Sequence, residues 1–243
     1  RGVGYTTYGD HTSKICGLEV VLPDGDLIRT GMGAMNGAPT WQLYRYGYGP
    51  AWDQLFVQSN FGVVTKLGLW LMPEPESVMG LNLEFDKPED LEWAVDTIAP
   101  LRKEGLLQQS PSLGNWLRGA AVLTRRDEWY DKPGALPESV ITAIRKRFNI
   151  GWWSGAFRVY GRESVNRAAM AELEKAFNGR KLMSVSRSSW VQGEPLEKSA
   201  WVGVPITFPM MNTEWHGGRG GHIGYSPVLP SKGRLALEQF KRT

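Results

Sequence analysis

The chain has 243 residues, 42% hydrophobic and 22% charged, with a formal net charge of +3 at pH 7. This is the composition of a globular protein with a sizeable core, in one large domain or two modest ones, and it excludes an intrinsically disordered chain. The small, unclustered charge excludes a nucleic-acid surface, and the lone Cys16 excludes a disulfide framework while leaving the compartment open, cytoplasmic or periplasmic.

The start, Arg1-Gly2-Val3-Gly4-Tyr5, has no initiator Met and no signal-peptide pattern, and reads as the interior of a longer sequence. Residues 17 to 30 predict a β-hairpin, because β-rich Leu18–Leu22 and Leu27-Ile28-Arg29 flank the turn residues Pro23-Asp24-Gly25-Asp26. Gly, Asn36, Pro39 and Pro50 make 31 to 50 an irregular connection, and Trp52 to Phe56 fits a short helical turn. A strand follows from Val63 to Met72, and Pro73-Glu74-Pro75-Glu76 stops it. We expect the domain boundary there, giving domains 1–76 and 77–243.

Beyond the boundary, strands and helices alternate. Met79, Leu81, Leu83 and Phe85 recur with period two, and Pro88-Glu89-Asp90 opens a helix carrying Leu91, Ala94, Val95 and Ile98. Residues 108–116 and 127–137 read as irregular loops. Pro137-Glu138-Ser139 starts a second helix, Trp152 to Tyr160 is a strand, and Arg162 to Asn178 is a third helix closed by Asn178-Gly179. The end, from Leu235 to Thr243, reads as a helix cut mid-element. The expected fold class is α+β, an antiparallel sheet with helices on one face. No stretch has the apolar length of a membrane span. Eleven Trp fill core and also suit a pocket for flat, apolar ligands.

Two Gly-dense stretches, 1–11 and 215–225, allow a backbone to approach a ligand closely, although from the residues alone ordinary turns are the better explanation. Neither has the G-x-G-x-x-G spacing before a helix, and neither has a P-loop lysine. His11, His216 and His222 lack metal-ligand spacing, so no metal site is expected, and no nucleophile elbow supports a Ser–His–Asp assembly.

Several segments, in order along the chain, resemble the flavoprotein family of vanillyl-alcohol oxidase, eugenol oxidase and the flavoprotein subunit of 4-cresol dehydrogenase (p-cresol methylhydroxylase). They are Arg1–Thr6 with Tyr8-Gly9-Asp10-His11, Gly17–Leu22 with Asp24-Gly25-Asp26, and Arg29–Gly33. Further along come Tyr46–Pro50, Ser59–Lys66, Trp70–Pro73, Gly203-Val204-Pro205 and Gly220–Pro227.

The resemblance implies FAD bound in a two-subdomain PCMH-type α+β fold. Residues 1–76 would be the second part of the FAD-binding domain, and 77–243 most of a ferredoxin-like substrate-binding cap. It implies that Gly62, Val63 and Val64 meet the adenine end of the cofactor, and that Tyr5, Tyr8, Gly9 and Asp10 lie near the flavin and pyrophosphate. Gly221 and His222 would reach the flavin edge, with His222 as the covalent attachment point. His216 is the next candidate, and a tyrosyl bond is not expected because Thr213 occupies the corresponding place. The implied reaction takes hydride from the benzylic carbon of a para-alkyl or para-hydroxybenzyl phenol to flavin N5, through a quinone methide that water attacks. The family's phenolate clamp lies upstream and downstream of this segment, so no residue here is assigned a catalytic role. The implied partners are a small phenolic substrate, an electron acceptor that is either oxygen or a cytochrome- or azurin-like protein, and further copies of the protein in a homo-oligomer. The same fold acting on another alcohol or hydroxy acid, or a non-catalytic remnant, are the rival readings.

Overall fold

A computed structural model describes residues 6–47, 49–195, 215–216 and 230–242. The chain divides into two compact units, Arg1–Glu74 and Pro75–Thr243; the break falls two residues before the expected 76/77 boundary.

The first unit is a three-stranded antiparallel sheet of β1 (Ile15–Val21), β2 (Leu27–Arg29) and β3 (Val63–Leu69), in the order β2-β1-β3. The hairpin closes where the sequence places it. Leu22 N–H donates to Asp26 O at 2.8 Å, and Gly25 takes φ +93°, a conformation that glycine adopts without a Cβ penalty. Central β1 buries Cys16, Leu18 and Val20, whereas Phe61, Val63, Leu67, Leu69, Trp70 and Leu71 are all exposed. Single-turn 3-10 segments at His11–Lys14, Gly31–Ala34 and Trp52–Phe56 complete this unit.

The second unit contains β4 (Ser77–Phe85), α1 (Asp90–Lys103), β5 (Leu113–Asn115), α2 (Trp116–Leu123) and α3 (Glu138–Phe148). It continues with β6 (Trp153–Gly161), α4 (Glu163–Ala176), β7 (Ser184–Val191) and α5 (Gly233–Arg242). All pairings in the sheet are antiparallel, in the order β5-β6-β4-β7, the ferredoxin-like arrangement. Because side chains alternate across a strand, Leu81, Leu83 and Phe85 of β4 and Phe157 and Val159 of β6 share one face. They form the core with Leu91, Ala94 and Ile98 of α1, Met170 and Leu173 of α4, Phe177 and Leu237. Fully buried Asn166 ties α4 to the start of the sheet, donating to Ser77 O at 3.0 Å and Ser77 Oγ at 2.7 Å.

Two local expectations change, and two features are added. Residues 113–123, read partly as loop, form β5 and α2, and Asn115 caps α2 by accepting from Arg118 N–H at 3.3 Å. Ser184–Val191 forms β7, an edge strand paired to β4 along eight register positions. Helix α1 runs through Pro100 to Lys103. Helix α4 ends at Ala176, short of Asn178-Gly179; the left-handed C-cap belongs instead to Asn149 after α3, at φ +54°.

Candidate functional site

Of the residues expected near a cofactor, Tyr5, Gly221 and His222 lie outside the described residues. The others all sit in the first unit. Gly9 turns the chain at φ +58°, its N–H donating to Thr6 O at 3.2 Å. Asp10 caps the 3-10 segment behind it, accepting from Thr12 N–H at 3.4 Å and Thr12 Oγ1 at 2.7 Å. Tyr8 donates its hydroxyl to Leu71 O at 3.2 Å, and the Lys14 ammonium lies 4.4 Å from its ring centroid. This group therefore rests beside the chain that leaves the far end of β3.

Gly62, Val63 and Val64 occupy the opposite end. A Cβ on Gly62 would stand 2.6 Å from Val20 Cγ1 and 2.8 Å from Val21 O, so only glycine lets the turn close onto β1. Val63 and Val64 follow with exposures of 67% and 37%, at the start of an edge strand. The two groups are thus not brought together. Seven residues of strand separate them by roughly 20 Å, at ~3.3 Å per residue. An extended dinucleotide, with a different chemical group at each end, is the kind of ligand that fits this spacing. A solvent-facing apolar edge fits a flat, partly apolar ring.

In the second unit, the sheet face opposite α1 and α4 carries polar residues that the sequence reading did not single out. Asn82, Arg158, Ser186 and Ser188 share this face by register. Arg158 is only 5% exposed; its Nη1 donates to Phe157 O at 2.8 Å and its Nη2 to Asn82 Oδ1 at 3.0 Å. A methyl on Gly80 would lie 2.6 Å from the Arg158 guanidinium carbon, so the glycine makes the room in which Arg158 lies flat. Beside it, burial pushes the Tyr160 hydroxyl up to about 12, against a smaller downward pull from Arg158. No signal in the sequence beyond period-two alternation could have marked this face.

His216 is exposed and follows Trp215, which is buried against Trp116 with ring centroids 6.4 Å apart. Among the described residues, no cluster of three His, Cys, Asp or Glu could hold a metal ion, and no helix is long and apolar enough to cross a membrane.

Antiparallel sheets with helices make this an α+β protein, and its structural neighbours are PCMH-type flavoproteins. No protein-family profile matches the chain. It is 35% identical over 244 residues to the 4-cresol dehydrogenase [hydroxylating] flavoprotein subunit of Pseudomonas putida, covering 98% of this chain and 46% of that protein. It is 27% identical over 270 residues to the 1'-carboxy-chondrochloren decarboxylase of Chondromyces crocatus, covering 96% of this chain and 50% of that protein. Among solved structures, substrate-bound p-cresol methylhydroxylase matches with a TM-score of 0.85 at 33% identity, over 98% of this chain and 47% of that one. The 4-ethylphenol oxidase of Gulosibacter chungangensis, in complex with isoeugenol, matches with a TM-score of 0.87 at 30% identity, over 99% of this chain and 48% of that one. Over nearly its whole length the chain is similar to flavoproteins of the vanillyl-alcohol oxidase/p-cresol methylhydroxylase family. It spans about half the length of the curated relatives it matches.

Proposed function

We propose that the complete protein carrying this chain is an FAD-dependent oxidoreductase that oxidises para-substituted phenols at the benzylic carbon. The observation that carries this reading is the 35% identity, running through 98% of the chain, to a flavoprotein subunit named for 4-cresol. In this reading residues 1–76 are the second part of an FAD-binding domain and 77–243 are substrate-binding cap. Bound FAD supplies a two-electron acceptor for the benzylic hydride.

The chain's own contribution is to bind and orient. Gly62, Val63 and Val64 would hold the adenine end, and Tyr8, Gly9 and Asp10 the region of the pyrophosphate and flavin. Tyr5, Gly221 and His222 would complete the flavin contact, with His222 holding it covalently. The exposed apolar edge of β3 supports the division of labour: a sheet leaving Phe61, Val63, Leu67 and Leu69 open to water has much of its natural cover still to be supplied. The electron acceptor is oxygen or a small redox protein, and the whole protein is a homo-oligomer. A second reading keeps the flavin fold and changes the substrate; the relative named as a decarboxylase favours it.

Acid precipitation of the complete protein tests cofactor and bond together. The expected result is flavin fluorescence in the pellet, lost in His222→Ala. Flavin wholly in the supernatant would reject the covalent bond, and flavin in neither fraction would reject the reading itself.

A further inference from the structure

The first unit contains a buried polar pin that neither the motifs nor the proposed function uses. Thr30 is 3% exposed and Asp53 1% exposed. The Thr30 hydroxyl accepts from Leu18 N–H at 2.8 Å and donates to Asp53 Oδ1. The second carboxylate oxygen, Asp53 Oδ2, is buried without a partner. Burying such a group is costly, and native structures leave few of them. Asp53 lies in the 3-10 segment Trp52–Phe56, so the pin fastens that turn to the centre of β1.

Five residues later the backbone is strained. Gln58 takes φ +51°, in the left-handed region that a non-glycine residue enters only when its surroundings force it. The forcing contacts lie on either side. Upstream is the Thr30–Asp53 pin; downstream is Gly62, seated against Val20 and Val21 with the Phe56 ring 3.6 Å from its Cβ position. Stretched between these fixed points, the turn presents Phe61, Val63 and Val64 to solvent at 60%, 67% and 37% exposure. Backbone strain of this kind collects at ligand-binding segments, where it holds a surface ready for its ligand.

We propose that Thr30 and Asp53 are positioning residues for nucleotide binding, fixing the 61–64 segment against which an adenine ring docks. The inference rests on the FAD reading above. Neither residue touches the ligand; the hydroxyl–carboxylate bond sets the affinity through the position of the turn.

The test uses complete protein produced in riboflavin-starved cells, so that no flavin is attached, with ADP as the probe for the adenine end and calorimetry as the readout. Thr30→Val keeps the side-chain volume and removes the hydroxyl, whereas Thr30→Ser keeps the hydroxyl and removes the methyl. The expected result is ADP affinity at least about tenfold weaker in Thr30→Val and within about twofold of wild type in Thr30→Ser. A second pair covers the case in which Thr30→Val does not fold. Asp53→Asn keeps an acceptor for Thr30 and should retain binding, whereas Asp53→Ala should lose it. Unchanged affinity in Thr30→Val, equal losses in Thr30→Val and Thr30→Ser, or equal losses in both Asp53 variants would overturn the positioning role while wild type still binds ADP. A wild-type protein that binds neither ADP nor FAD would instead remove the FAD reading, and this inference with it.

Discussion

Arg29 places two hydrogen bonds on one oxygen of Glu19, from Nε at 2.9 Å and Nη2 at 2.7 Å to Oε2. Thr65 Oγ1 donates to the other oxygen at 3.0 Å, and Lys66 Nζ lies 3.3 Å from it. Arg29 above all, with Thr65 and Lys66, holds the Glu19 carboxyl below the usual carboxylate range. A folded-state value below the unfolded one stabilises the fold above the unfolded value, and that stability is lost as pH falls through the folded one. Glu19→Gln should therefore melt at a lower temperature than wild type near neutral pH, and the difference should shrink below about pH 4. Melting curves of the two proteins across that range check it.

Glu84 has the opposite sign. Burial raises its carboxyl, only partly offset by the Gly151 N–H donated at 2.8 Å and by the charge of Arg145. An acid whose folded value is raised destabilises the fold wherever the unfolded chain would ionise it. Glu84→Gln keeps an acceptor for Gly151 and should gain stability near neutral pH, with no gain below about pH 4. Denaturant titration at the two pH values measures this.

Gly80→Ala would push a methyl to 2.5 Å from Ser188 Oγ and 2.6 Å from Arg158 Nε. Ser188 Oγ can rotate aside, but Arg158 is buried and held by hydrogen bonds to Phe157 O and Asn82 Oδ1, so the cost falls in the overpacking range of about 1–3 kcal/mol. Loss of stability in the second unit, read by urea unfolding, is the expected result.

Phe157 is 1% exposed and stacks on Phe177 with ring centroids 5.5 Å apart and an interplanar angle of 22°. Phe157→Ala should cost about 3–5 kcal/mol, from lost transfer energy and the cavity left between β6 and α4. Phe157→Leu should recover most of that loss in the same unfolding experiment.

Legibility in the sequence followed how local each signal is. The β1–β2 hairpin was readable because Asp24 and Gly25 demand a turn within a few residues. Strands β4 and β6 were readable because Leu81, Leu83 and Phe85, and then Phe157 and Val159, alternate. Strand β7 was not: Ser184, Ser186, Ser188 and Ser189 leave only Val185, Trp190 and Val191 as strand-like residues, and pairing with β4 decides the rest. Helix α2 escaped because it is eight residues long and follows β5 without a linker. The Thr30–Asp53 bond, across 23 positions, has no sequence signature at all. For the candidate site, Gly62, Val63 and Val64 were marked by resemblance rather than by their chemistry. The structure adds why Gly62 must be glycine and how the valines come to face water.

The central proposal is that the complete protein carrying this chain is a flavin-dependent phenol oxidoreductase, and anaerobic mixing of that protein with a para-alkylphenol tests it most directly. Purified without added cofactor, the protein should show the visible absorbance of oxidised flavin. That absorbance should bleach on adding 4-cresol or 4-ethylphenol and persist with the corresponding methyl ethers, which cannot form a phenolate. A colourless protein, or a flavin spectrum unchanged by every para-alkylphenol, would contradict the account.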